Sequence, residues 1–232
     1  MTSERLPPYD PLRFDWERGA RTGVHECVFC DGKSAEQIRH ILATAQARGA
    51  QLLLTRLSAE ALEALGGEFE LDYCALSRTA VLGGLPAAGE PSEDIVLVCA
   101  GTSDLPVIEE ARRTLAFHGI DAPVYADVGV AGLWRLMSVA EELSRFRVLI
   151  VVAGMEGALF SAIAGLVPGL VIAVPSPVGY GVSERGSAAL NSALASCAPG
   201  IVTVNIGNGF GAAAAARKVV AAYHPEISRR VD

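Results

Sequence analysis

The sequence predicts an α/β protein: a doubly wound parallel sheet preceded by a smaller α+β domain. Three observations carry this. From Ile95 onward, short apolar runs alternate regularly with helical patterns, as parallel sheets with crossover helices require. Hydrophobic residues make up 51% of the 232-residue chain and charged residues only 19%, with 24 glycines, which suits strands covered on both faces. The segment Pro86-Ala87-Ala88-Gly89-Glu90-Pro91-Ser92 reads as a linker, so the expected domains are 1–90 and 91–232.

In the first domain, Met1 to Pro8 has no apolar core and is not a signal peptide. Asp15, Arg18, Arg21 and Glu26 precede a strand over Cys27 to Cys30. That C-x-x-C stands alone, and strand alternation points its two thiols to opposite faces, so zinc is not expected. Gly32-Lys33-Ser34 opens an amphipathic helix to about Arg48, Leu52 to Thr55 is a short strand, and Ser58 caps a helix over Ala59 to Leu65. Tyr73 to Leu82 holds one or two strands.

In the second domain, strands are expected near Ile95–Ala100, Pro123–Ala126, Val148–Ala153, Val171–Val174 and Ile201–Asn205, the last a buried one. Ligands of such sheets lie outside the strands' carboxyl ends. The polar residues collect there: Gly101-Thr102-Ser103-Asp104, Asp127 to Gly132, Gly154-Met155-Glu156-Gly157, Pro175 to Gly181 with Ser176 and Tyr180, and Gly207-Asn208-Gly209 after Asn205 at the end of the fifth strand. The low-charge run Val148–Val174 is cut by Gly154, Gly157, Gly165, Pro168 and Gly169, which argues against a membrane span. The net charge of −7 opposes general nucleic-acid binding and favours a small ligand. Five cysteines without a secretory signal fit a reducing cytoplasm.

The chemistry of these loops is partly open. Gly101 to Asp104 is either an anion site at a helix start or an ordinary cap, and no P-loop is present. Glu156, inside an apolar run, is expected to be partly desolvated, which raises a carboxyl pKa, while a helix start lowers it. None of the four histidines falls in a loop motif, so a Cys-His or Ser-His-Asp arrangement is not supported. Leu190, Ala193, Leu194 and Cys197 follow helical spacing, which puts Cys197 in the last turn of a helix. A thiol there is a packing residue or a nucleophile; its position favours a core cysteine, because the helix dipole opposes a thiolate.

These loops, together with Ser196-Cys197-Ala198-Pro199-Gly200, Asn208-Gly209-Phe210-Gly211, Arg18-x-x-Arg21-x-Gly23 and Ser77-Arg78-Thr79-Ala80, resemble the LarB family over nearly the whole chain. Those proteins are pyridinium-3,5-biscarboxylic acid mononucleotide synthases of nickel-pincer cofactor biosynthesis, with a C-terminal domain related to PurE-type aminoimidazole ribonucleotide carboxylases. The resemblance implies a flavodoxin-like second domain. It implies carboxylation of nicotinic acid adenine dinucleotide at pyridinium C5, with CO2 or bicarbonate as co-substrate, and phosphoanhydride hydrolysis releasing AMP. It makes Cys197 the nucleophile and Glu156 the acid-base group. Substrate contacts would come from Gly101, Thr102, Ser103, Asp104, Asp127, Gly129, Gly154, Met155, Ser176, Tyr180, Gly181, Asn205, Asn208 and Arg78.

No prosthetic group is implied, and magnesium enters only as an ion carried on substrate phosphates. A homo-oligomer is expected, with the alanines of Ala212–Ala216 packing between subunits. Trp134, Phe160, Gly207 and the run Ser183-Glu184-Arg185-Gly186 depart from the family pattern. The alternative readings are a paralogue acting on another pyridine or N-heterocycle and a non-catalytic nucleotide-binding protein.

Overall fold

A computed structural model describes residues 12–224, in two compact units that divide between Leu85 and Pro86. The first contains α1 (Arg18–Thr22), β1 (Cys27–Phe29), α2 (Ala35–Ala47), β2 (Leu52–Thr55), α3 (Ala59–Ala64), β3 (Leu71–Cys74) and β4 (Thr79–Leu82). Its sheet runs β1-β2-β4-β3, with β1 parallel to β2 and β4 antiparallel to both neighbours. Ser34 caps α2 through a reciprocal box with Gln37, and the Ser58 hydroxyl accepts from the Ala61 amide at the start of α3. The segment expected as one or two strands is two, joined by a tight turn and starting at Leu71. Ile38, Leu42, Leu52, Leu54 and Leu57 fill the core. Burial pushes the Cys30 thiol up to about 12, which makes it a packing residue.

The second unit is a regular alternation: β5 (Ile95–Cys99), α4 (Leu105–Phe117), β6 (Val124–Tyr125), α5 (Leu133–Leu143), β7 (Val148–Ala153), α6 (Ala158–Ala164), β8 (Leu170–Pro175), α7 (Ser187–Ala195), β9 (Ile201–Thr203) and α8 (Gly209–Tyr223). All five strands are parallel, in the order β6-β5-β7-β8-β9. This is the flavodoxin-like order, with its switch point where β5 lies between β6 and β7.

Period-two alternation divides each central strand between two cores. Ile95, Leu97 and Cys99 face one cluster that includes Ile108 and Ala111 of α4 and Ala212, Ala213 and Ala216 of α8. Val96 and Val98 face the other, with Leu136 of α5, Phe160 of α6 and Ala189 of α7. Phe160 is fully buried there. The run Val148–Val174 thus resolves into strand, helix and strand, and among the described residues no helix is long and apolar enough to cross a membrane.

Three expectations are corrected. The last strand is not buried: β9 is three residues at the sheet edge with only β8 beside it, and Val202 is 46% exposed. Ala212, Ala213 and Ala216 do not face outward for a second subunit; they are buried within the unit, where α8 packs on α4. The close approach of these helices is set at Gly209, where a Cβ would lie 2.5 Å from the Val107 carbonyl oxygen. Finally, α7 ends at Ala195, so Cys197 is outside the helix. Ser196 turns extended, and its hydroxyl accepts from the Ala198 amide, a local bond that competes with another helical turn.

Candidate active site

The loops after β5, β6, β7, β8 and β9 leave the carboxyl ends of adjacent parallel strands and are laced together by the backbone. The Val128 amide donates to the Cys99 carbonyl (3.2 Å), Met155 to Val178 (2.9 Å), Ser176 to Ala153 (2.8 Å) and Gly207 to Pro175 (2.7 Å). Gly154 has no alternative: a Cβ there would collide with the Val178 carbonyl oxygen. Gly129 also passes close to the Ala100 carbonyl oxygen, which lies 2.7 Å from where its Cβ would be. Asp127 and Met155, both non-glycine, are held at φ 58° and 53°, left-handed values that a chain retains only where the surroundings fix them. Gly181 and Gly207 adopt the same region at no such cost.

Asp104 is the buried carboxyl group of this edge. It is 4% exposed, its Oδ2 accepts from the Gly101 amide (3.0 Å), and its Oδ1 is buried without a hydrogen-bond partner. Burial pushes its carboxyl above the usual range, against the Ser176 hydroxyl and the Gly101 amide, which favour the charged form. It does not cap α4 with its side chain. The Oδ2 bond to the Gly101 amide is itself a cap of the helical turn Thr102–Asp104 that leads into α4, so the ordinary-cap reading accounts for that oxygen and leaves Oδ1 over. Thr102 and Ser103 are exposed beside it, and Ser176 is buried behind it.

The other predicted contacts are placed less simply. Asp127 is paired with Arg135 of α5 at 2.7 Å. Asn205 Oδ1 accepts from the Ile206 amide (2.9 Å), and Asn208 Oδ1 caps α8 through the Gly211 amide (2.7 Å), so each uses its carbonyl oxygen on the backbone. Tyr180 is exposed above Gly181. Arg78 belongs to the first unit, just before β4.

Glu156 and Cys197 both differ from expectation. Glu156 is exposed rather than desolvated, because it falls at the turn between β7 and α6 and not within either buried element. Cys197 is exposed rather than a core thiol. It precedes β9, whose first residue pairs with Val171 near the amino end of β8, whereas Glu156 follows the carboxyl end of β7. The two groups thus belong to different ends of the sheet. The hydroxyls of Ser161 on α6 and of Ser196, neighbour of Cys197, lie 2.7 Å apart, which ties the segment after α7 to α6.

Ser161, Arg135 and Glu110 belong to no motif, and Ser196 enters the sequence reading only as the neighbour of Cys197 in Ser196–Gly200. Glu110, buried on α4, accepts from the Phe210 amide at 3.0 Å and so fixes the start of α8 behind the Asn205–Asn208 loop. That bond spans 100 residues of sequence, and no local pattern announces it. Among the described residues, no group of three or more His, Cys, Asp or Glu side chains is placed to hold a metal ion.

Comparison with known proteins gives two family matches. Residues 9–83 match the LarB/PurE-like N-terminal domain, and residues 94–232 match the AIR carboxylase family. An uncharacterised protein of Methanocaldococcus jannaschii is 36% identical over 211 residues, covering 87% of this chain and 80% of that protein. Two solved structures of Treponema denticola PurE, one of them a variant, share 24% identity and cover 59% of this chain and 85% of theirs, with TM-scores of 0.48 and 0.47. The chain therefore belongs to the LarB family, a LarB/PurE-like N-terminal domain followed by a carboxylase-type domain of the AIR carboxylase family.

Proposed function

We propose that this protein carboxylates the pyridinium ring of nicotinic acid adenine dinucleotide at C5 and hydrolyses its phosphoanhydride, releasing AMP. The observation that carries the reading is the exposure of both groups the chemistry needs, the Cys197 thiol and the Glu156 carboxylate, on segments between elements where packing makes no claim on them. A pyridinium ring is too electron-poor to attack CO2. Addition of the Cys197 thiolate at C4 sends an electron pair to the ring nitrogen and gives a neutral dihydropyridine. Its enamine carbon, C5, attacks CO2, forming the new carbon–carbon bond and an iminium at N1. Glu156 takes the C5 proton, which restores the enamine, and expulsion of the thiolate restores the aromatic cation. The net change is replacement of one ring proton by a carboxylate. Gly101, Thr102, Ser103 and the other strand-end contacts, with the buried Asp104, hold the nucleotide.

The protein acts as a homo-oligomer in this reading. Cys197 and Glu156 lie toward different ends of one sheet, so the Cys197 of one copy serves the Glu156 of another. Exposed apolar side chains support such a contact: Leu194, three residues before Cys197, and Trp134, 74% exposed on α5. Five free thiols support a reducing, cytoplasmic setting. Incubation with nicotinic acid adenine dinucleotide and 13C-labelled bicarbonate tests the function. One labelled carboxyl in the pyridine product and one AMP per turnover are expected; AMP release without label would overturn the carboxylase reading.

A further inference from the structure

Cys197 is placed by its backbone. Its thiol is exposed and makes no hydrogen bond among the described residues, so the turn around it decides where the sulfur points. That turn is built on Ser196. Ser196 leaves the helical region at ψ 134°, and its hydroxyl accepts from the Ala198 amide at 3.2 Å, which closes a turn with Cys197 at its centre. A serine turn of this kind holds a chain only weakly, and exposed loops open readily unless something else ties them.

Ser161 supplies that tie. It lies on α6 among Leu159, Phe160 and Ile163, all buried in the core, so its own position is fixed. Its hydroxyl reaches that of Ser196 at 2.7 Å, across 35 residues of sequence. The Ser196 oxygen gives one lone pair to the Ala198 amide and keeps a second lone pair and its own proton, either of which Ser161 can meet. A serine inside a helix commonly points to solvent or bonds the carbonyl one turn back. That of Ser161 crosses to another segment instead. Alanine would suit the seven-residue α6 better, so the hydroxyl serves the contact with Ser196 rather than the helix that carries it.

We propose that Ser161 is a positioning residue for Cys197: bonded to Ser196, it fixes the turn that presents the thiol to the ring. The proposal rests on the reading of Cys197 as the nucleophile. Addition at C4 and expulsion both need the sulfur aligned with the ring, and a misplacement of about 1 Å can cost about 10²-fold. Steady-state kinetics and hydrogen exchange of the full chain test it together. Ser161→Ala lowers kcat for carboxylation by about 10- to 100-fold and leaves KM within about twofold. Ser161→Thr, which keeps a hydroxyl, restores most of the rate. The double variant Ser161→Ala, Ser196→Ala is no slower than Ser196→Ala alone, because the two hydroxyls act as one unit. Exchange in the peptide spanning Cys197 and Ala198 rises by about tenfold in Ser161→Ala, while the melting temperature holds. A merely structural serine would shift the melting temperature and would not separate kcat from KM. Wild-type exchange in that peptide, or an undiminished kcat, in Ser161→Ala overturns the proposal. A wild type that makes no labelled product overturns the carboxylation reading instead, and exchange of the Cys197 peptide still decides for or against the tie.

Discussion

Cys197→Ser lowers carboxylation of nicotinic acid adenine dinucleotide by roughly 10⁴-fold or more, while substrate affinity changes little. The size follows from the chemistry. A serine hydroxyl is protonated at any working pH and is a poor leaving group from a dihydropyridine, so both the addition and the expulsion fail. Cys197 is exposed and its neighbours hold their own bonds: Ser196 to Ser161 and to the Ala198 amide. The replacement therefore leaves the fold intact, and the melting temperature serves as the control. Full product formation by the serine variant would remove the nucleophile from the account.

Glu156→Gln slows turnover by about 10² to 10⁴-fold, the range for loss of a positioned acid-base group, with KM nearly unchanged. Glutamine keeps the shape and cannot take the C5 proton. Because the carboxylate is exposed in a turn, stability is unaffected. The two variants together carry a sharper test. Mixing inactive Cys197→Ser with inactive Glu156→Gln, under conditions that exchange subunits, restores up to about a quarter of wild-type activity if each site takes its thiol from one copy and its carboxylate from another. If both groups of a site came from one chain, no combination would hold both, and the mixture would stay inactive.

How far these residues were legible in the sequence depends on the range of the interactions that place them. The central strands were readable because Ile95–Cys99 and Val148–Ala153 are apolar throughout, which only a sheet covered on both faces requires. Ser34 and Ser58 were readable because a cap is a bond to a residue three positions away. The loops were readable because parallel topology delivers every strand's carboxyl end to one edge. Cys197 was misplaced because its helical spacing is real, but the Ser196 hydroxyl and Pro199 stop the helix first. Glu156 was expected to be partly desolvated from an apolar run that the fold divides, leaving the carboxylate at the first of the two turns within it. The alanines of α8 have the same appearance whether they meet α4 or a second subunit. A contact between distant residues, such as Glu110 with the Phe210 amide, follows from no local pattern.

Gly207 shows how a departure from the family pattern reads once the backbone is known. Its φ of 63° and its amide bond to the Pro175 carbonyl tie the β9 loop to the end of β8. Glycine meets that conformation without strain, so the loop keeps its backbone path at this departure. Trp134, exposed on α5, is by contrast an addition to the surface.

The central claim is a covalent bond between Cys197 and the pyridinium ring. Native intact-mass measurement after mixing with nicotinic acid adenine dinucleotide in CO2-depleted buffer tests it most directly, because addition then proceeds and carbon capture does not. The account predicts a gain of one substrate mass, located on Cys197 and absent from Cys197→Ser. Labelled product formed by the wild type with no adduct, or with an adduct on another residue, would contradict it.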